Sequence, residues 1–146
     1  MKKSRKLSLW KADAWKLCSE YIRRKYSNPD GFASCVCCGV SKHWKKLQAG
    51  HLVPSRRLGI LFDERGIFPC CYGCNIMKGG NIHEYVAYMR TEFGKEYTDN
   101  LIEELRHNAK QVVKFTVEDY KKLIEEYERK IQEEIIDREV IELLPA

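Results

Sequence analysis

The sequence predicts an α+β protein: a small core organised by a metal, with a helix before it and a helical arm after it. Two observations support this prediction: paired cysteines near residues 35 and 71, and apolar residues at helical spacing in the first and last thirds. A chain of 146 residues fits one domain with a helical appendage. We divide it into a basic, metal-containing part, residues 1–95, and an acidic helical arm, residues 96–146.

The first predicted element is a helix from Leu9 to Tyr26. Apolar side chains recur along it at helical spacing, and its opposite face is basic. The segment Asn28-Pro29-Asp30-Gly31 is a strong turn and should end the helix. We expect the aromatic residues of this helix to lie in the core.

The cysteines predict a zinc site. Two Cys-x-x-Cys pairs, Cys35/Cys38 and Cys71/Cys74, would each form a tight turn that aims both sulfurs at one point. An odd total of seven clustered cysteines favours metal binding over a disulfide framework, although buried reduced thiols are the alternative. The spacing leaves three cysteines outside the predicted site: Cys18, Cys37 and Cys70. Of these, Cys37 or Cys70 could substitute as a zinc ligand.

The segment between and after the cysteine pairs predicts two strands followed by a helix. We expect strands at Leu47–Val53 and Ile67-Phe68, separated by a loop at residues 55–59. A helix should follow the second cysteine pair, with an interruption at Gly79-Gly80 before a further helix, Ile82–Phe93. This order predicts a zinc-stapled ββα-metal core of the HNH or treble-clef kind.

The last third predicts two helices, Asn100–Lys110 and Val117–Leu144. Thr116 and Asp119 are spaced as a capping box at the start of the second helix. We interpret the arm as a packing or dimerisation element, or as one half of an antiparallel helix pair. A homodimer is therefore one predicted assembly.

Charge is divided unevenly along the chain. Residues 1–91 hold 17 Lys and Arg against 6 Asp and Glu, whereas residues 92–146 hold 9 against 15. A basic front part favours a polyanion such as DNA, because neutralised phosphates release counterions, although a merely solvated basic surface is the alternative. No apolar run approaches the ~18 residues of a membrane span, and no apolar signal core follows the basic start, so we expect a cytoplasmic protein without membrane contact.

Phosphodiester hydrolysis needs a base for the water and a cation for the developing charge. His51, inside the segment between the cysteine pairs, suits the base, and Asn75 suits the divalent-ion ligand. Three further residues are candidate ion ligands: Asp63, Glu64 and His83. Five basic residues are candidates for phosphate contacts: Arg23, Arg24, Arg56, Arg57 and Lys78.

These motifs, over about residues 10 to 95, resemble the NinG (Rap) recombination proteins of lambdoid phages. The similar segments are Lys11-Ala12-Asp13-Ala14-Trp15, Tyr21-Ile22-Arg23, Cys35-x-x-Cys38-Gly39, His43-Trp44, Gln48-Ala49-Gly50-His51, Ser55-Arg56, Phe62-Asp63-Glu64-Arg65, Cys71-x-x-Cys74-Asn75 and Gly80-Asn81. The resemblance implies a zinc-containing, HNH-like endonuclease that uses Mg²⁺ or Mn²⁺ to cut branched DNA such as Holliday junctions and D-loops. It also implies zinc on the four paired cysteines, His51 as the base and Asn75 at the helix metal position.

Two positions depart from the pattern of many HNH enzymes. Gly50 replaces the carboxylate that often precedes the base, and Gly66 replaces the asparagine that orients it. These departures keep a second hypothesis open, a zinc-stabilised DNA-binding module without hydrolytic activity. A third makes the zinc unit a protein-docking knuckle with the helical arm as its interaction surface.

Overall fold

The computed structural model describes residues 3–145, in which we number five α-helices and four short strands. In chain order these are α1 (Leu7–Lys25), β1 (Phe32–Ser34), β2 (Ser41–His43), β3 (Gln48–His51), α2 (Leu58–Leu61), β4 (Ile67–Cys70), α3 (Ile82–Phe93), α4 (Lys95–Ala109) and α5 (Val117–Leu143). Two 3₁₀ turns, Trp44–Lys46 and Glu64–Gly66, and one π-helical turn, Gly73–Met77, connect them. The predicted α+β class is confirmed.

The strands form two separate antiparallel pairs, β1 with β2 and β3 with β4. In the second pair Gln48 lies opposite Cys70 and His51 lies opposite Ile67. The strand expected at Leu47–Val53 is shorter at both ends, because β4 offers only four residues for pairing. This pairing brings the last residue of β4 and the second cysteine pair beside the strand that carries His51.

The helix expected directly after the second cysteine pair is instead the π-helical turn Gly73–Met77. The Lys78 N–H donates to the Gly73 carbonyl, five residues earlier, at 3.0 Å. This wider turn lets the chain follow the cysteine pair without a full α-helix, and such turns are frequent at functional sites. Gly79 and Gly80 then interrupt the helix as predicted, and α3 has the predicted bounds.

Helix α1 lies against α5, and this is the most extensive pairing of elements in the described chain. α1 buries Ala14, Cys18 and Ile22, while α5 contributes Tyr127 to the same apolar cluster. The guanidinium of Arg138, near the end of α5, donates to backbone carbonyls at the end of α1, including that of Ser27 at 2.9 Å. The contact ties the end of α1 and the turn that follows it to α5. The arm therefore acts in packing.

The main apolar cluster joins parts of the chain on both sides of the predicted boundary at residue 95. It contains Cys35, Cys70 and Tyr85 together with Leu101 and Leu105 of α4. Helix α4 starts at Lys95, earlier than the expected Asn100, directly after Gly94, whose φ of +87° ends α3. The division into two domains stays a prediction.

Helix α5 begins at the predicted residue, and the side chains of its last part are exposed. Thr116 and Asp119 form the capping box, with the Asp119 N–H donating to the Thr116 hydroxyl at 3.2 Å. Ile131 is buried, but Val140 is 52% exposed, so α5 buries apolar side chains only in its first part. Within the described residues, none of the helices has the length and apolar character needed to cross a membrane.

Candidate active site and metal centre

The two Cys-x-x-Cys pairs converge. The sulfurs of Cys35, Cys38, Cys71 and Cys74 all lie within 4.8 Å of one another, and the Cys38 and Cys71 sulfurs are 3.7 Å apart. Ligands at ~2.3 Å from a tetrahedral zinc ion lie ~3.8 Å from one another, so the spacing fits such a site. These four cysteines could hold a zinc-like metal, as the sequence predicted.

Backbone geometry explains the first cysteine turn. The Gly39 N–H donates to the Cys35 carbonyl at 2.8 Å, and the Cys35 N–H donates to the Val40 carbonyl at 2.9 Å. Gly39 has a φ of +78°, a left-handed conformation that a residue without Cβ adopts without strain. The glycine directly after the cysteine pair therefore allows the chain to turn back around the sulfurs.

The second cysteine turn is supported by polar groups that the sequence did not single out. The Cys74 N–H points at the Cys71 sulfur at 3.4 Å, and the Asn81 side-chain amide donates to the Cys74 sulfur at 3.5 Å. Asn81 has a φ of +45°, which asparagine tolerates better than most residues. Donors of this kind favour the thiolate form that a metal requires.

His51 lies at the end of β3, half-buried, with one ring nitrogen already engaged. Its Nε2 lies 3.1 Å from the carbonyl oxygen of Leu61, which can only accept, so Nε2 carries the proton. The lone pair of the neutral ring is then on Nδ1. Burial lowers the pKa of His51 below its usual 6.5, and the nearby charge of Arg56 acts in the same direction. His51 is thus held as a neutral imidazole with Nδ1 as its basic atom.

Trp15, from α1, forms one wall beside His51. The two rings stack with centroids 5.0 Å apart, and the Arg56 guanidinium lies 5.1 Å from the Trp15 ring centre. Trp15 was expected in the core; it is half-buried, packs against the apolar cluster between α1 and α5, and also lines a cavity. Its aromatic face holds the His51 ring and an arginine in place.

Asn75 faces β3 from the π-helical turn. Its amide nitrogen donates to the Gln48 side-chain oxygen at 2.7 Å, which leaves the Asn75 Oδ1 as the free atom of the amide. The strand is also held from α3: the buried Tyr85 hydroxyl donates to the carbonyl of Gly50, a residue of β3, at 2.8 Å. These bonds fix both the asparagine amide and the strand that carries the histidine.

The structure gives a reason for glycine at position 50. A Cβ at Gly50 would lie 2.5 Å from the Cys70 sulfur and 3.1 Å from the Asn75 Oδ1. The first distance is shorter than real Cβ contacts, so a carboxylate residue at position 50 would have to push the cysteine away.

At Gly66, the second departure, packing leaves no room for a side chain, and another group orients His51. A Cβ at Gly66 would lie 2.7 Å from Leu105 Cδ1, so a side chain there would point into the buried contact with α4. The contact that orients His51 comes instead from the Leu61 carbonyl.

His51 and Asn75 line the same cavity. Two adjoining cavities of about 340 and 360 Å³ run along β3, and we call them together the β3 groove. The first is lined by Ala49, His51, Pro54, Ser55, Arg56, Asn75, Ile76, Gly79 and Gly80, and the second by Trp15, Ser19, Arg23, Leu47, Gln48, Ala49, Arg56, Asn75 and Ile76. A larger cavity of about 680 Å³ lies between α3 and α4, but its lining includes neither member of this pair.

The three further candidate ion ligands lie outside the β3 groove. Asp63 pairs with Arg65 at 2.7 Å, and this guanidinium lowers the pKa of the Asp63 carboxyl. Glu64 accepts from Lys130 at 2.9 Å and from the Tyr127 hydroxyl at 3.1 Å, which ties the strand pair to α5. His83 is exposed at the start of α3.

Two of the five predicted phosphate contacts line the β3 groove and three do not. Arg23 and Arg56 line the β3 groove, and Arg23 is held by the Trp44 carbonyl at 3.1 Å. Arg24 pairs with Glu20 at 3.1 Å and lies over the Trp44 ring. The two remaining candidates are exposed and lie outside the groove lining: Arg57 and Lys78.

Sequence similarity extends over nearly the whole chain. The family model described as "NinG: Bacteriophage Lambda NinG protein" matches residues 1–137. "Protein ninG" of Escherichia phage lambda is 30% identical over 139 residues, which cover 90% of this chain and 62% of the relative. "Protein ninG" of Escherichia phage 933W is also 30% identical over 139 residues, with 63% of the relative covered.

The chain thus spans about three fifths of the length of these curated relatives. No solved structure matches this protein. Because the family model covers far more than half of the sequence, the relationship does not depend on the cysteine motifs alone. The chain therefore belongs to the NinG family of bacteriophage lambda.

Proposed function

We propose that this protein is a metal-dependent endonuclease of phage DNA recombination, with an HNH-like site in the β3 groove and zinc on the four paired cysteines. The observation that carries the proposal is that His51 and Asn75 line one cavity, with the basic nitrogen of His51 selected by the Leu61 carbonyl. A fixed neutral imidazole beside a free amide oxygen is suited to activating water near a bound phosphate.

In this proposal His51 removes the proton from the attacking water. Nδ1 is the unprotonated nitrogen, and the depressed pKa keeps it unprotonated at neutral pH. The Leu61 carbonyl and the Trp15 ring restrict rotation of the imidazole, so the base is oriented before substrate binds. The water oxygen then attacks the phosphorus, the P–O3′ bond breaks, and the departing 3′ oxygen takes up a proton from solvent.

Arg56 and Arg23 hold the DNA backbone in the groove. Both line the groove, and guanidinium groups bind phosphate oxygens in pairs. Arg56 is exposed and placed over Trp15, so it is available for such contact beside the base. Backbone contacts of this kind position DNA without reading its sequence, which suits recognition of branched DNA by shape.

Asn75 Oδ1 is the ligand that this chain offers to a divalent cation. Among the described residues, groups of three or more potential metal-binding side chains consist of cysteines alone, so no carboxylate cluster adds to it. A single amide oxygen suits Mg²⁺ or Mn²⁺ that keeps several waters and takes further ligands from phosphate. Such a cation would supply charge neutralisation at the phosphate.

The second candidate function is DNA binding without hydrolysis. The observation in its favour is the same lack of carboxylates: Asp63 and Glu64 are bound to cations of the protein itself. The protein would then hold branched DNA through the β3 groove.

The two functions are separated by incubating the purified chain with a four-way junction and with linear duplex DNA, in Mg²⁺, Mn²⁺ or EDTA. The endonuclease proposal expects cleavage of the junction with either cation, weaker cleavage of the duplex and none in EDTA. Salt-sensitive binding without cleavage under all conditions would favour the binding module. Failure to bind DNA at low salt would favour the protein-docking hypothesis.

A further inference from the structure

Three cysteine sulfurs come together in a second group beside the four-cysteine site. The sulfurs of Cys35, Cys37 and Cys70 lie within 4.8 Å of one another, and all three residues are buried. Cys35 belongs to both groups. Two segments therefore supply a compact trio of soft ligands, the first cysteine turn and the end of β4.

We propose that Cys35, Cys37 and Cys70 hold a second divalent, thiophilic ion of the zinc type, with the Cys35 thiolate shared between the two ions. Soft thiolates select zinc-like metals, and three sulfurs supply most of a tetrahedral shell. The Gly80 carbonyl oxygen lies 3.7 Å from the Cys37 sulfur, so an oxygen donor is also present at the edge of this group. The proposal assumes that the four-cysteine site holds zinc.

The geometry favours a second ion over substitution in the first site. A replacement ligand would have to lie near the remaining three sulfurs of that site. Cys37 and Cys70 group only with Cys35 and are not within 4.8 Å of the whole set of Cys38, Cys71 and Cys74. They are therefore spaced to form a separate site, which the sequence did not predict.

Charge favours a divalent ion. A site of four thiolates and one zinc ion has a net charge of −2. A second zinc ion adds two positive charges and displaces one proton from each of Cys37 and Cys70, because metal-bound sulfur is thiolate. The net charge of the cluster therefore stays at −2. A monovalent copper ion in the second site would instead give the buried cluster a net charge of −3.

The second group also touches the strand of the proposed active site. A Cβ at Gly50 would be 2.5 Å from the Cys70 sulfur, so this sulfur lies directly against the residue before His51. An ion on Cys70 would therefore be held immediately behind β3. Its role would be to stiffen this strand, independently of which reaction the groove performs.

The proposal is tested by counting metal ions on the full chain. Purified protein, stripped of metal and titrated with Zn²⁺, is measured by native mass spectrometry. We expect two ions on the wild type, one on Cys37→Ser and one on Cys70→Ser. Cys18→Ser is the matched control and should keep two, because burial in the α1 and α5 contact raises the pKa of the Cys18 thiol to about 12 and separates it from both groups.

A second readout uses NMR-active Cd²⁺ in place of Zn²⁺. Two cadmium resonances are expected for the wild type and one for Cys37→Ser. A single ion on saturated wild-type protein would overturn the proposal, whether or not either variant folds. Two ions retained on both variants would also overturn it. Because the readout is metal content, its result is separate from the outcome of any cleavage assay.

Discussion

The position of one proton on His51 determines what this residue can do. The Leu61 carbonyl accepts a hydrogen bond from the Nε2–H, which keeps the proton on that nitrogen, and the ring is half-buried against Trp15. One contact comes from α2, in the connection between β3 and β4, and the other comes from α1. The reactive nitrogen is therefore selected by packing, without the asparagine that the family resemblance led us to expect at position 66.

The lowered pKa of His51 sets an expected pH dependence. Burial disfavours the charged ring, so the neutral base is present above a midpoint below 6.5. The cleavage rate should rise with pH below 6.5 and level off by neutral pH. The unfolded chain takes up this proton at higher pH than the folded one, so stability falls as pH is lowered through this range.

The titration of His51 can be followed by NMR in the absence of substrate. Because the charge of Arg56 lowers the pKa, Arg56→Ala should move the His51 midpoint upward. A wild-type midpoint above 6.5 would contradict the account of the base.

Gln48 should act through Asn75. Its side chain accepts from the Asn75 amide at 2.7 Å and so directs the Asn75 Oδ1 away from itself. Gln48→Ala should lower the cleavage rate roughly 10-fold, the scale of lost outer-shell contacts. Gln48→Glu retains an acceptor and should retain most of the activity. Gln111→Ala, at an exposed residue of the arm, is the control, and an equal loss there would rule out this role.

At the scale of elements, the cysteine turns connect the two strand pairs. The first turn follows β1 and the second follows β4, and Val36 donates to the Pro69 carbonyl at 3.1 Å. Neither pair has more than four residues per strand, and isolated two-stranded ribbons are marginal in water. The metal should therefore supply much of the stability of this unit.

Cys38→Ser tests this dependence with little loss of packing, because Cys38 is exposed. We expect the four-cysteine site to lose its zinc and the free energy of unfolding to fall by several kcal/mol, which is a part of the roughly 10–16 kcal/mol with which structural zinc binds. Zinc content and urea denaturation measure the two effects. Wild-type stability in the zinc-free variant would show that the strands do not need the metal.

For the whole molecule, two arginines line the β3 groove, and the acidic helix α5 packs against α1. DNA affinity should therefore fall steeply with salt. Arg56→Ala should reduce the slope of log affinity against log salt by about 1, because one phosphate contact is lost. Arg129→Ala, on α5 and paired with Glu133, should leave the slope unchanged. Equal effects of the two variants would argue against the groove as the DNA path.

Local patterns predicted α1, β3, β4, the three later helices and the four paired cysteines, since helical spacing and cysteine spacing are short-range signals, but they did not predict β1, β2 or α2. They did not predict that Trp15 meets His51, because that contact depends on how α1 docks on the strand pair. The role of the Leu61 carbonyl was equally hidden, since a backbone oxygen is present in every sequence. Glu64 could not be assigned to Lys130 without the position of α5.

Cleavage of four-way junction DNA by His51→Ala in Mg²⁺ or Mn²⁺ tests most directly whether His51 is the base of a nuclease site. The variant should bind zinc and DNA as the wild type does, while cleavage should fall by a factor of about 10² or more, as for loss of a general base. His107→Ala, at an exposed histidine of α4, should cleave normally. Cleavage by His51→Ala at the wild-type rate would contradict the account.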